Sequence, residues 1–369
     1  MSVVADVVVA GAGIVGCAVA REAARAGLRV IVAEPGVIGG GATGAAMGHL
    51  VVLDDDPHEL ALCQWSIALW REHFDAPRVE HAASGTLWIA ADAAEVELAH
   101  AKCARLRDAG VAAEWLDARA LAAAEPLLRP GLAGAVRVAS DAVVYPPGAA
   151  LHLWAEAERH GARRIQAGVH AVVDGGATLD DGTQVSAGAI VLACGLATTA
   201  LIPALPVVPR KGHLVVTDRY PDLVRHQLVE LGYAASAHAH DGGDSVAMNV
   251  QPRPTGQLVI GSSRQFTGSD AVDLAIVDAM LARAFAYLPG LRRLHALRVW
   301  FGFRPASRDG RPFIGPCPGR ARVWLATGHE GLGITTSLAT ARIVVDQILD
   351  RPSAIDATPY APARRMACA

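Results

Sequence analysis

Gly11, Gly13 and Gly16 stand between an apolar run, Val7-Val8-Val9-Ala10, and a helix-like stretch that reaches Ala26; the next apolar run, Leu28 to Ala33, ends on Glu34. That order predicts strand, glycine turn, helix and second strand, with a chemistry attached. Gly11 permits the tight turn, Gly13 lets the backbone approach a pyrophosphate, and Gly16 lets the helix lie close against the strand. The helix start, through Ala12, Ile14 and Val15, offers unpaired amides and the positive end of a dipole to the phosphates. Glu34, 18 residues beyond Gly16, is placed to accept hydrogen bonds from an adenosine ribose. Its charge repels a 2′-phosphate, so FAD or NAD is favoured over NADP.

Other elements must hold whatever reacts. A second run of small residues, Gly39 to His49, follows Glu34 closely and lets a cofactor lie directly on backbone. Stretches 59–75 and 93–109 read as amphipathic helices, the first with Leu60, Leu62, Trp65, Ile67 and Leu69. Asp54-Asp55-Asp56-Pro57 reads as a solvated loop and helix start rather than a metal site. Val169 to Val173 and the segments around Leu179 and Val185 suggest strand, turn, strand; Ala189 to Gly195 is a continuous apolar run of the kind buried in a parallel sheet. From about 211 to 300 the pattern alternates, as in His213 to Thr217 and Gln257 to Gly261, which predicts the antiparallel strands of a substrate-binding sheet. A helix near 271–287 follows.

With 369 residues the chain is long enough for two domains. No repeat or linker cuts it into sequential halves, and nucleotide-domain signals occur at both ends and in the middle, so interleaved domains are expected. The hydrophobic fraction of 52% against 19% charged is apolar for a soluble enzyme, which fits either buried subunit interfaces or contact with a membrane surface. A formal charge of −3 without a long basic tract argues against nucleic acid as a partner. Six scattered cysteines lacking any CxxC argue against an iron–sulfur centre or structural zinc and point to reduced thiols in the cytoplasm. The apolar N-terminus lacks a basic flank and carries Asp6, so it reads as a buried strand and not as a signal peptide or membrane anchor. A cytoplasmic location follows, with peripheral attachment to the inner face of the membrane as the variant.

Six ordered blocks resemble the D-amino acid oxidase (DAO) superfamily of FAD-dependent oxidoreductases, and together they cover nearly the whole chain. They are the Gly11–Gly16 turn with Glu34; the Gly39–His49 loop; Val191 to Gly195; Pro209-Arg210-Lys211-Gly212-His213; Gly302-Phe303-Arg304-Pro305 continuing to Gly315; and Thr327 to Thr335. Within the superfamily, residues 45–52 and 328–335 are most similar to the flavoprotein subunits of D-hydroxyproline dehydrogenases, with glycine oxidases, cyanide synthases and opine oxidases as relatives. The resemblance implies an α/β fold, α+β overall. A Rossmann-like FAD-binding domain with a central parallel sheet would take residues 1–80, 140–210 and 300–369. It would interleave with a substrate domain on a mainly antiparallel sheet, residues 81–139 and 211–299.

The resemblance also assigns roles. The adenine and pyrophosphate half of FAD would meet the Gly11–Gly16 turn, Glu34, Thr43, Gly44 and Val169. The flavin half would meet Ala46, Met47, Gly48, Gly302, Gly331, Leu332, Gly333 and Ile334, with Ala193, Gly195 and Thr335 as further contacts. A helix starting near Gly333 would aim its amides at the flavin N1–C2=O edge, where charge collects on reduction. Arg304 would hold a substrate carboxylate bidentately and orient Cα toward flavin N5. His49 and Glu330, in flavin-side loops, are candidates to contact a substrate amine or ring hydroxyl, and Tyr233 with Tyr220 to form a lid. Asn249 stands where glycine oxidases place an aromatic substrate residue. The cysteine to which monomeric sarcosine oxidases attach flavin has no counterpart near Gly302, so FAD is expected to be non-covalent.

Three functions remain open on these grounds. A dehydrogenase would oxidise a D-amino or cyclic imino acid, D-hydroxyproline or D-proline foremost, to the imine and pass electrons to a partner protein or quinone. An oxidase of glycine, sarcosine or a D-amino acid would return them to oxygen as peroxide. A non-catalytic flavin-binding subunit of a larger complex would have no substrate site, and Arg304 argues against it.

Overall fold

The computed structural model describes residues 2–232, 243–266 and 269–366. Two eight-stranded sheets hold all the described strands but two. The first has the order β17 (Phe313–Pro316), β18 (Val323–Thr327), β11 (Gln184–Leu192), β1 (Ser2–Ala10), β2 (Val30–Ala33) and β8 (Arg163–Ile165). Its centre is parallel, and β9 (Val169–Val173) and β10 (Gly176–Leu179) form an antiparallel extension on β11. Val7, Val8 and Val9 have no exposed surface, as the unbroken apolar run requires of a strand covered on both faces.

Nine helices are described: α1 (Ile14–Arg25), α2 (Gly41–Gly44), α3 (Pro57–Trp70), α4 (Ala94–Asp108), α5 (Ala118–Ala124), α6 (Pro146–Arg159), α7 (Thr198–Leu201), α8 (Leu274–Tyr287) and α9 (Gly333–Ile348). Along α1 the buried face is Cys17, Ala18, Ala20, Ala23 and Ala24; such short side chains let α6 and α9 pack close on it. Gly16 closes the approach to the strand. A Cβ there would overlap the Gly11 carbonyl oxygen, and Gly11 itself, at φ +97°, adopts backbone that L side chains avoid.

The second sheet runs β16 (Ala296–Ser307), β12 (Val207–Arg219), β15 (Gln257–Arg264), β14 (Ser245–Pro252), β13 (Gln227–Glu230), β4 (Thr86–Ala90), β6 (Gly134–Val138) and β5 (Ala113–Asp117). Every neighbouring pair is antiparallel except β13 with β4. Because β12 begins at Val207 and β16 reaches Ser307, this sheet extends past 211–299 at both ends. Period-two alternation sorts its faces. Leu87, Leu228, Met248 and Val250 share a core with Val277 and Met280 of α8. Trp88, Val229 and Asn249 face the other way, and register places them side by side. A short ribbon, β3 (His49–Leu50) with β7 (Ala142–Val143), completes the strands.

The aspartate run departs from the expected solvated loop. Asp54 is buried, ion-paired with buried Lys102 and with Arg105, whose Nη2 lies 2.8 Å away. Asp56 caps α3 by accepting from the His58 amide at 2.8 Å. Composition alone could not distinguish this, because the neutralising cations lie on α4, some fifty positions further along the chain. No helix among the described residues is long and apolar enough to cross a membrane.

Gly16→Ala is expected to cost about 1–3 kcal/mol by overpacking α1 against the strand. Calorimetry would register it as a lower unfolding midpoint, with an added loss of the stabilisation that FAD confers.

Candidate active site

Residues 39–49 run from one helix start to another. At the first, the Gly39 amide donates to the Ala12 carbonyl at 2.8 Å and Thr43 Oγ1 accepts from the Ile14 amide at 3.0 Å, which leaves the hydroxyl proton for a phosphate. At the second, Thr335 Oγ1 donates to the His49 carbonyl at 2.9 Å and accepts from the Val51 amide at 3.3 Å. Neither α1 nor α9 carries a side-chain N-cap. Their first-turn amides therefore keep the capacity to meet a ligand.

Glu34 ends β2 with its carboxylate fixed: Oε2 accepts from the Ala12 amide at 2.8 Å and Oε1 from the Gly36 amide at 2.7 Å. Each oxygen has a further lone pair for a ribose hydroxyl. A Cβ added at Gly41 or Gly331 would meet nothing within 4 Å, and one at Gly13 only Thr43 Oγ1 at 3.3 Å. Bare backbone strung between two uncapped helix starts fits an elongated dinucleotide. The α1 start and Thr43 would suit phosphates, and the backbone of Gly331, Leu332 and Gly333 a polar ring edge.

Other expected contacts fall around this line with differing side-chain duties. Gly44 lies in α2, Ala46 and Ile334 pack into the core beneath α1, and Gly48, at φ +96°, is pressed against the Val144 carbonyl. The Met47 side chain turns into the second sheet beside Leu214 and Val259, so only its backbone can serve a cofactor. Ala193 is buried at the end of β11; Gly195, at φ +58°, accepts from Thr327 Oγ1 at 3.1 Å. Val169 opens β9 and packs on Leu179. Gly302 carries no side chain because a Cβ would collide with the Ala45 methyl.

Between the second sheet and residues 49–59 and 310–332 lies a cavity of about 110 Å³. Its polar lining is His49, Asn249, Arg210, Arg264 and Glu330 together with Asp55, Glu59, Thr86 and Ser307, and its apolar lining is Val51, Leu53, Trp88, Val229 and Leu332. Arg210 donates from Nη1 to Glu330 Oε1 at 3.0 Å, and Arg264 Nε lies 3.5 Å from the same oxygen. Burial alone would raise the Glu330 pKa, but the guanidinium groups of Arg264, Arg210 and Arg304 outweigh it and hold the carboxyl down to about 2. Glu330 adopts φ +45° in the turn that leads into α9, a conformation a non-glycine residue keeps only when its surroundings fix it. Burial also pushes His49 down to about 4, so its ring is neutral at pH 7.

Arg304 pairs with Arg210 across β16 and β12, so both project from one face of the sheet. It does not line the cavity itself. Its Nη1 donates to the Ser263 carbonyl at 3.2 Å, and the guanidinium lies across Gly212, where a Cβ would come within 2.7 Å of Cζ. Asn249 is buried in the cavity wall. Tyr233 lies outside the described residues, and Tyr220 is spent on a turn, accepting from the His295 amide at 3.0 Å. Arg210, Arg264 and Trp88 were absent from the expected site. The first had a legible signal, since antiparallel pairing of the Arg210–Gly212 and Gly302–Arg304 segments brings two arginines and two glycines together.

The family description DAO, FAD-dependent oxidoreductase, matches residues 6–347. A glycine oxidase of Pseudomonas aeruginosa is 29% identical, over 98% of this chain and 99% of its own length. The crystal structure of glycine oxidase from Geobacillus kaustophilus superposes with a TM-score of 0.87 at 27% identity, covering 98% of this chain and 99% of that one. L-Proline dehydrogenase from P. horikoshii shares the fold, with a TM-score of 0.88 at 20% identity over 99% and 98% of the two chains.

Glu330→Gln removes the counter-charge of Arg210 and is expected to cost about 1–3 kcal/mol, discounted because the Glu330 side chain is 20% exposed. The wild-type contribution is complete above the ordinary carboxylate pKa and fades as pH falls from about 4.5 toward 2. Acid unfolding followed for both proteins should show the two curves converging over that interval.

Proposed function

The chain belongs to the DAO family of FAD-dependent oxidoreductases, and from that membership we propose that it oxidises the C–N bond of a small amino or imino acid to the imine. FAD, held without a covalent bond on Gly11–Gly16, Glu34, Thr43 and the start of α9, supplies the hydride acceptor. The nucleotide domain in this reading is the first sheet with its helices, and the second sheet carries the substrate.

The chain's own groups bind, orient and exclude water. Arg304, steadied by the Ser263 carbonyl, presents a planar fork suited to a carboxylate. Neutral His49 can accept a hydrogen bond from the substrate amine without adding a competing positive charge. Arg210 and Arg264 are occupied with keeping Glu330 ionised, which gives the amine a fixed negative neighbour. Val51, Leu53, Trp88, Val229 and Leu332 would cover the carbon skeleton and keep solvent from it.

The observation that carries the substrate reading is this split cavity. An apolar wall of five side chains has nothing to bury against glycine, and a five-membered ring would fill it. Cyclic imino acids of the D-proline and D-hydroxyproline type are therefore the foremost candidates, with electrons passed to a partner protein or quinone. The oxidase reading, with glycine, sarcosine or a D-amino acid as substrate and oxygen as acceptor, draws on the 29% identity to a glycine oxidase along the full chain.

Anaerobic addition of D-proline, cis-4-hydroxy-D-proline, glycine, sarcosine or D-alanine to the FAD-loaded protein decides among them. Bleaching is expected first with the cyclic acids, followed by slow recovery of colour in air; rapid recovery with peroxide release, or bleaching by glycine alone, would replace this reading with the oxidase. Arg304→Ala should retain the flavin spectrum while losing about 100-fold in kcat/KM. An unchanged kcat/KM would remove the carboxylate assignment.

A further inference from the structure

Away from the cavity, three side chains of metal-ligand type converge between α3 and α6. His73 ends the turn Arg71–His73 that follows α3, and His152 and Glu156 lie one turn apart on α6. Nδ1 of His73 is 3.0 Å from Nε2 of His152; that nitrogen is 3.7 Å from Glu156 Oε1, and His73 Nδ1 is 3.9 Å from Glu156 Oε2. In a zinc tetrahedron with bonds near 2.0–2.1 Å, neighbouring donors stand roughly 3.4 Å apart. The two imidazole nitrogens and one Glu156 oxygen all lie within 4.8 Å of one another, so a small contraction would bring them to the spacing that one ion imposes.

We infer that this cluster is a site for one divalent transition-metal ion of zinc-like preference, bound through His73 Nδ1, His152 Nε2 and a Glu156 oxygen, with water as the fourth ligand. Two imidazoles and a carboxylate suit zinc or cobalt(II) better than magnesium or calcium, which favour oxygen donors alone. His73 is buried, with Nδ1 turned toward His152 and Glu156. His152 and Glu156 are 19% and 18% exposed, which leaves an ion a way in.

The surrounding charges set the competition. Arg21 donates to Glu156 through Nε and also faces Glu72 at 3.4 Å and Glu22 at 3.8 Å. Arg159 reaches Glu156 Oε1 at 3.2 Å, and Arg78 adds positive charge toward His152. Arg21 thus holds the carboxylate in place for the ion and competes with it. A bound metal would tie the end of α3 to α6, and none of its three protein ligands lines the cavity.

The test uses tag-free, FAD-loaded protein stripped with a chelator and then titrated with zinc chloride or cobalt(II) chloride. Expected are one zinc per chain after desalting, a raised unfolding midpoint, and a tetrahedral cobalt band to the red of the flavin absorption. His152→Ala, at a partly exposed position, should abolish all three and leave the flavin spectrum unaltered. Arg21→Gln should tighten zinc binding about tenfold, a change that a purely structural ion-pair network would not produce. Absence of binding at about 100 µM zinc, or binding that survives His152→Ala, would overturn the inference.

Discussion

The site depends on one stretch of backbone pairing, the seam where β12 and β16 run antiparallel with Gly212 opposite Gly302 and Arg210 opposite Arg304. Two adjacent positions without side chains leave a shallow trough on that face of the sheet. One half of the trough receives the Arg304 guanidinium and the other the Ala45 methyl from the loop between the two helix starts. Trp300 reinforces the junction by donating from Nε1 to the Ala45 carbonyl at 3.2 Å. A single seam thereby docks the 39–49 loop onto the second sheet beside the two arginines.

Charge is concentrated at that boundary at a cost that only mutual pairing offsets. Three guanidinium groups act on Glu330, whose carboxylate would otherwise resist ionisation where it is. Glu330 begins the turn before α9, so the same ion pairs that neutralise it also fix where that helix starts. The threonine hydroxyl two residues into the helix then pins β3, and with it His49. Electrostatics, helix start and cavity wall form one connected arrangement rather than three separate ones.

Much of the first sheet was legible because its signals are local. The valine run, the three glycines and Glu34 each report their own surroundings, and Gly16 against Gly11 is the contact that the spacing implies. Arg264 was not legible as a cavity residue, because an arginine in a strand gives no sign of which face or which carboxylate it will find, whereas Arg210 could be placed by its pairing with the Arg304 segment. Asp54 misled for the same reason: three consecutive aspartates look solvated until Lys102 and Arg105 arrive from a distant helix. Asn249 lay between, since alternation fixed its face while register with Val229 and Trp88 fixed its company.

The order of the strands has a consequence for how this protein comes into being. β18, at residues 323–327, hydrogen-bonds to β11, and α9, at 333–348, packs on α1 at the opposite end of the chain. The first sheet is therefore complete only once β18 and α9 have joined β11 and α1. Loop-closure entropy makes such long-range pairing slow. Until those pairings form, the apolar strand β11 keeps an open edge, the kind of surface on which folding intermediates aggregate.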